Sequence, residues 1–330
     1  MIRGLITGGF RPFHKGHEAL IDFAKSNCDE LLIFVADPPG VWEIPYKYRL
    51  NWVSSQYLHD PQVEVFGDVV EEPHFGSSEE KSKYWGDFIL KKFGKFDKVF
   101  TSETYGKAFS EALGAKNCAF NASRSIIPVS ATLIRNKPLT NWQYINNFAK
   151  DYFVKKICLV GTESTGKTTL CQQLAGYYNT IWSPEIGREI FENTNSGTIE
   201  DIQLVGLKHA ETILRNTRLA NKLLFVDTDL SITKSYSEYL FGEVPKFDPW
   251  IEKANEMDLY IFLTSDAPYI DDGTRLSKKE RNKLETSHWK YFQDLPNVEL
   301  APYEEESLID SYLDRFNDIV KIINNFISKY

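Results

Sequence analysis

Two stretches of the chain carry residue types at spacings that suit phosphate chemistry. The first is Gly8-Gly9-Phe10-Arg11-Pro12-Phe13-His14-Lys15-Gly16-His17. Two imidazoles separated by Lys15-Gly16 at the start of a predicted helix can face one phosphate, where the helix N-terminus adds free N–H groups and a positive dipole end. Gly8, Gly9 and Gly16 let the backbone come close where a side chain would collide. The chemistry this suits is nucleotidyl transfer. A phosphate attacking the α-phosphate of a nucleoside triphosphate is already an anion, so the reaction needs charge stabilisation more than a base. A companion stretch is Val129-Ser130-Ala131-Thr132-Leu133-Ile134-Arg135. Ser130 and Thr132 can cap a helix start whose N–H groups receive a phosphate, and Arg135, a turn later, can hold the departing pyrophosphate as a bidentate cation.

The second stretch, Gly161-Thr162-Glu163-Ser164-Thr165-Gly166-Lys167-Thr168, fits the G-x-x-x-x-G-K-[ST] phosphate-binding loop. It lies between an apolar run at 157–160 and a predicted helix from Thr169, the context that the motif requires. Backbone N–H groups would cradle the phosphates, Lys167 would neutralise β/γ oxygens, and the Thr168 hydroxyl would ligate Mg²⁺. Leu223-Leu224-Phe225-Val226-Asp227-Thr228-Asp229 supplies a buried strand with carboxylates at its C-terminal end. Asp227 or Asp229 would hold Mg²⁺ or accept a substrate hydroxyl proton, the alternative for Asp229 being a cap on the next helix. Glu185 and Arg188 lie three residues apart, suited to a sugar hydroxyl and a phosphate, or to an ion pair with each other.

Elements that could position these groups follow in alternation. In the first half, strands are predicted at 3–7, 30–36, 63–66, 98–101 and 118–121, with helices at 17–27, 46–59, 79–93 and 105–113, and an aromatic-rich helix at 140–153 closing this half. In the second half, strands are predicted at 156–160, 223–227, 259–263 and 298–300, with helices at 169–178, 198–221 and 307–328. Residues 268–285, polar and charged, read as a mobile flap. Alternating strands and helices imply α/β architecture with two parallel sheets. The boundary falls between 152 and 153, with no Gly/Ser/Pro-rich spacer to make it a flexible linker.

Composition bounds the partners. With 330 residues, two domains of ordinary size are expected, and 42% hydrophobic residues supply a core for each. Lys and Arg number 38 against 46 Asp and Glu, a formal charge of −8 that argues against bulk nucleic acid while leaving local phosphate pockets open. Cys28, Cys118, Cys158 and Cys171 form no C-x-x-C pair or zinc-type cluster, which reads as free thiols in a reducing cytoplasm. No run is long enough to span a membrane, and Gly4, Gly8 and Gly9 interrupt anything resembling a signal peptide. A homo-oligomer is compatible with the chain.

Residues 2–150 resemble the nicotinamide-mononucleotide adenylyltransferases, within the superfamily bearing His-x-Gly-His and Ser-x-Thr-x-x-Arg signatures, here His14 to His17 and Ser130 to Arg135. The second half resembles the ribosylnicotinamide kinase domain of the NadR family through its phosphate-binding loop, Ser183-Pro184-Glu185, Lys208-His209-Ala210, Val226-Asp227-Thr228-Asp229 and Asp272-Gly273-Thr274-Arg275. The resemblance implies a Rossmann-like nucleotidyltransferase fold followed by a P-loop kinase fold, with ATP and Mg²⁺ used and ribosylnicotinamide, nicotinamide mononucleotide and NAD as ligands. It implies that Gly8, Gly9 and Phe10 lie against ATP, that Arg49 is a basic substrate contact, and that Trp85 stacks on the nicotinamide ring. Residues 100–103 would lie against adenosine, and Arg275, with Arg281, would close a lid over the transferring phosphoryl group. Gly9 departs from the Lys or Arg often found there, leaving Arg11 or Lys15 to supply that charge. Family members that act as repressors carry an N-terminal helix-turn-helix domain. Here the first strand begins at residue 3, so operator binding is not expected. A nucleotide sensor with one inactive domain and a fusion acting on another small nucleotide are the alternatives.

Overall fold

The structure is a computed structural model that describes all residues except 39, 41–42, 104, 122, 124, 188, 191–196, 266–277 and 304–307. The chain divides into two compact units, Met1–Tyr152 and Phe153–Tyr330.

In the first unit, β1 (Arg3–Gly8), α1 (Lys15–Lys25), β2 (Glu30–Asp37), α2 (Tyr46–Tyr57), β3 (Val63–Val69), α3 (Ser78–Phe93), β4 (Lys98–Thr101), α4 (Gly106–Leu113), β5 (Lys116–Ala119) and α5 (Ala131–Asn136) follow in order. The strands form one sheet in the order β3-β2-β1-β4-β5, and every pairing is parallel. Leu31 to Val35 of β2 are all buried, as expected of a parallel strand covered on both faces. Leu5, Leu32, Phe34, Ile89, Phe96, Val99, Phe109 and Leu113 pack into one core cluster between sheet and helices. The strand order changes direction beside β1, and the crevice beyond its C-terminal end is the ligand position in such sheets.

The helix expected at 140–153 is instead two 3₁₀ turns, Trp142–Tyr144 and Asn147–Phe153. Ile145 between them is extended and bridges His14 in antiparallel fashion, while the Asn146 N–H donates to the Phe13 carbonyl at 3.2 Å. Backbone groups committed to the His14 loop cannot also serve a continuous helical ladder.

The second unit contains β6 (Lys155–Val160), α6 (Lys167–Tyr177), β7 (Ile181–Ser183), α7 (Ile199–Leu219), β8 (Leu223–Asp227), α8 (Leu230–Phe241), α9 (Pro249–Ala254), β9 (Leu259–Leu263), α10 (Lys278–Trp289), β10 (Val298–Ala301) and α11 (Leu308–Ile327). Its sheet, β10-β9-β6-β8-β7, is also parallel throughout. Every residue of β8 and β9 is buried. The C-terminal part of the expected flap is not a flap: Lys278–Trp289 is helical, with Arg281 and Leu284 fully buried. Among the described residues no helix is long and apolar enough to cross a membrane.

Candidate active sites

β1 ends at Gly8 and delivers Phe10 in a left-handed turn (φ 48°), its ring buried against His17 (4.9 Å between centroids) and Phe13 (5.9 Å). His14 caps α1: its Nδ1 accepts from the His17 N–H at 3.3 Å. In a neutral ring that makes Nε2 the protonated nitrogen, a donor of the kind an oxyanion requires. The His14 and His17 rings stack 3.7 Å apart with 16° between planes. Gly16 makes this stack fit, since a Cβ there would lie 3.0 Å from His14 Cε1 and 3.1 Å from Nδ1. Burial, followed by the neighbouring His14, holds the His17 pKa well below the usual imidazole range, and its buried Nδ1 has no hydrogen-bond partner. The pair is therefore a short stack of imidazoles in the loop and first turn that follow β1.

Arg135 reaches this loop from α5. Its Nη1 donates to the Arg11 carbonyl at 2.6 Å and its Nη2 to Thr132 Oγ1 at 3.2 Å, while Ser130 Oγ caps α5 by accepting from the Leu133 N–H. Burial first, and the charge of Arg135 second, lower the pKa of Arg11. Lys15 instead pairs with Glu18 at 2.8 Å. Arg49 is fully buried, donating to the carbonyls of Gly9 (2.7 Å), Ile44 (3.0 Å) and Ala36 (3.1 Å) and pairing with Asp37. Its guanidinium thus fixes the loop at Gly9. Trp85 is half-buried on α3, edge-on to Phe88, and its Nε1 donates to Glu72 Oε1 at 2.6 Å. Phe100 and Thr101 end β4, and the Glu103 N–H donates to Thr101 Oγ1 at 3.0 Å.

In the second unit, β6 runs into the loop 161–166 and α6 leaves it. Gly161 passes so close to β9 that a Cβ there would lie 2.4 Å from the Leu263 carbonyl oxygen. Ser164 and Gly166 take left-handed φ values of 62° and 88°, turning successive loop amides to one side. Lys167 Nζ and Thr165 Oγ1 both donate to the Thr162 carbonyl at 2.8 Å. The hydroxyls of Thr162 and Ser164 are buried without a hydrogen-bond partner, as in a cradle built for acceptor oxygens. Glu163 is half-buried on this loop, and Thr169 is exposed on the first turn of α6.

The two carboxylates after β8 part company. Thr168 Oγ1 donates to Asp227 Oδ2 at 2.5 Å, so Asp227 faces the loop. Asp229 caps α8, accepting from the N–H groups of Ser231 (3.0 Å) and Ile232 (3.2 Å) and from the Tyr260 hydroxyl (3.0 Å). Burial raises its pKa to about 6. Among the described residues no cluster of three or more His, Cys, Asp or Glu could hold a metal, but the Thr168–Asp227 oxygen pair suits a hard cation completed by phosphate and water. Glu185 is half-buried in the loop after β7. Arg188, Arg275 and residues 271–274 lie outside the described residues. Arg281 donates to the Ser265 carbonyl beyond β9, and Glu285 accepts from the Ser265 N–H at 2.8 Å, so α10 is pinned at the crevice edge.

Two contributors carried no signal in the sequence. Asn146 braces the His14 loop from the far end of its unit. Arg315 on α11, 3% exposed, donates to the carbonyls of Thr165 (3.3 Å), Thr264 (3.2 Å) and Ala301 (2.6 Å), joining the phosphate-binding loop to the ends of β9 and β10. Ser183 at the end of β7, His209 on α7 and His288 on α10 are also buried, each with a side-chain polar atom lacking a partner.

Comparison with known proteins covers both units. A family model described as an AAA domain matches residues 156–297. The trifunctional NAD biosynthesis/regulator protein NadR of Escherichia coli (strain K12) is 27% identical, over 99% of this chain and 83% of that protein. A crystal structure of NadR protein in complex with NR matches with a TM-score of 0.80 at 22% identity, covering 99% of this chain and 96% of that one. A second, in complex with NAD and AMP-PNP, matches with a TM-score of 0.78 at 22% identity and the same coverage.

Proposed function

We propose that this chain, NadR-like along both of its units, is a bifunctional, cytoplasmic enzyme of NAD salvage. The unit Phe153–Tyr330 phosphorylates ribosylnicotinamide on its 5′-hydroxyl with ATP, giving nicotinamide mononucleotide and ADP. The unit Met1–Tyr152 then joins the mononucleotide to ATP: its phosphate oxygen bonds to the α-phosphorus as the bond to the β-phosphate oxygen breaks, giving NAD and pyrophosphate. The observation that supports this reading most is a juxtaposition in each unit: the His14 ring stacks on His17 at 3.7 Å in one, and Thr168 donates to Asp227 at 2.5 Å in the other.

In the first centre, His14 Nε2–H and the neutral His17 ring supply donors where charge grows on the α-phosphate, and Arg135 with Arg11 receives the leaving pyrophosphate. Arg49 supports this by holding the Gly9 carbonyl, and Trp85 offers its ring to the nicotinamide. In the second, the loop amides and Lys167 hold the ATP phosphates. Mg²⁺ on Thr168 and Asp227 would neutralise charge on the β and γ oxygens. Of three carboxylates that could take the hydroxyl proton, Asp229 serves the cap of α8 and Asp227 meets Thr168; Glu185 is the remaining one. Arg188, Arg275 and Arg281 complete the phosphate contacts in this reading.

Separate assays of the two steps test the assignment. Lys167→Ala is expected to lower mononucleotide formation from ribosylnicotinamide by at least a hundredfold while leaving NAD formation from the mononucleotide intact, and His17→Ala should do the reverse. Chromatography of products settles it. Failure of the unaltered protein to make NAD from the mononucleotide would refute the first assignment, and one change abolishing both steps in folded protein would refute independent centres.

A further inference from the structure

We propose that Asn146 is a positioning residue for adenylyl transfer, clasping the His14–His17 turn from both sides; this rests on the assignment of the first unit given above. Its backbone N–H donates to the Phe13 carbonyl at 3.2 Å, just before the turn, and its neighbour Ile145 bridges His14. Its side-chain Nδ2 donates to Glu18 Oε1 at 2.7 Å, just after the turn, and to Gln56 Oε1 of α2 at 3.0 Å. Asn146 Oδ1 accepts from the Phe148 N–H at 2.8 Å, which fixes the orientation of the amide. Both amide hydrogens and the amide oxygen are therefore engaged, in a residue only 1% exposed.

This arrangement constrains chemistry as well as folding. Residues 13 to 18 hold both imidazoles, and Asn146 ties each end of that segment to one fixed point. Loss of one tie lets the imidazoles shift relative to the α-phosphate, and a misplacement of about 1 Å can cost on the order of a hundredfold in rate. Neither ATP nor the mononucleotide need lose its own contacts, so the effect should fall on kcat and spare KM. Glu18 also pairs with Lys15, and Lys150 lies within its field, so one negative charge among two lysines belongs to the local balance.

Polarity reversal gives the test. Asn146→Asp removes both amide donors and sets a carboxylate against Glu18. It should lower kcat for NAD formation at least tenfold, with KM for both substrates within about twofold. Glu18→Gln combined with Asn146→Asp lets the new amide donate to the new carboxylate and keeps a single negative charge beside Lys15 and Lys150. This pair should recover most of the lost kcat. The kinase step in the same preparations, expected to be unchanged, normalises protein amount, and KM values for ATP and the mononucleotide close to those of the unaltered protein report that the Met1–Tyr152 unit is folded. An unaltered kcat in Asn146→Asp, or a loss that the double variant leaves unrepaired, overturns the proposal. No NAD from the unaltered protein would instead overturn the assignment of the unit.

Discussion

Arg11 and Lys15 are the two cations that could supply what Gly9 lacks, and their surroundings separate them. Burial first and the like charge of Arg135 second lower the Arg11 pKa, with Glu43 opposing them, so Arg11 and Arg135 lie within each other's field. Lys15 forms an i,i+3 ion pair with Glu18 at the start of α1. A triphosphate placed between the two guanidinium groups relieves their repulsion, so Arg11 is the better candidate. Arg11→Ala should raise KM for ATP in NAD formation by about tenfold or more, as expected when a charge-assisted contact of about 1.5–3 kcal/mol is lost, and Lys15→Ala should change it by less than about threefold. Steady-state kinetics at fixed mononucleotide would check both. His14, His17, Lys167 and Thr168 were legible in the sequence because each motif packs its chemistry into a few consecutive residues. The contact between Arg135 and Arg11 spans 124 positions and was not. The choice between Asp227 and Asp229 also needed the fold. Thr228 takes a left-handed turn (φ 62°), sending Asp227 toward the phosphate-binding loop and leaving Asp229 to cap a helix.

The strands were the clearest elements because parallel strands buried on both faces read as unbroken apolar runs, such as Leu223 to Val226. Helices held in place by a few tertiary contacts were harder. Lys278–Trp289 is strongly charged, and only its inward residues Arg281, Leu284 and His288 mark it as part of the core. The 3₁₀ turns near residue 145 imitate an amphipathic helix in composition, and only their link to His14 reveals the break. α11 shows the same limit, since its Arg315 looks like any polar helical residue. Arg315→Lys keeps the charge but cannot reach three carbonyls as a planar fork does. It should raise KM for ATP in the kinase step about five- to tenfold with little effect on NAD formation, measured in the same preparation.

Among the described residues, the His17, His209 and His288 imidazoles have folded pKa values below the usual value, His209 at about 4 and His288 at about 3, each displaced chiefly by burial. An unfolded chain takes up those protons first, so stability is full above pH 6.5 and falls as pH drops through 6.5 toward 4. Asp229 works the other way. With its pKa raised to about 6, it favours the fold below the ordinary carboxylate range and loses that contribution as pH rises to 6. Protonation of His17, His209 and His288 in the unfolded chain should therefore make the urea midpoint decline between pH 6.5 and 4, with Asp229 opposing it. Replacing His209 and His288 with Gln should flatten the decline, which denaturation curves across that range would show. The bridge between Ile145 and His14 adds a constraint of another kind. A ribosome releases His14 first and Ile145 roughly 130 residues later, a delay on the order of ten seconds at 5–20 residues per second. During that interval the nascent chain displays its histidine turn without the segment that closes it. A polypeptide interrupted before residue 145 would therefore contain every residue of the first motif and lack the backbone contacts that close it.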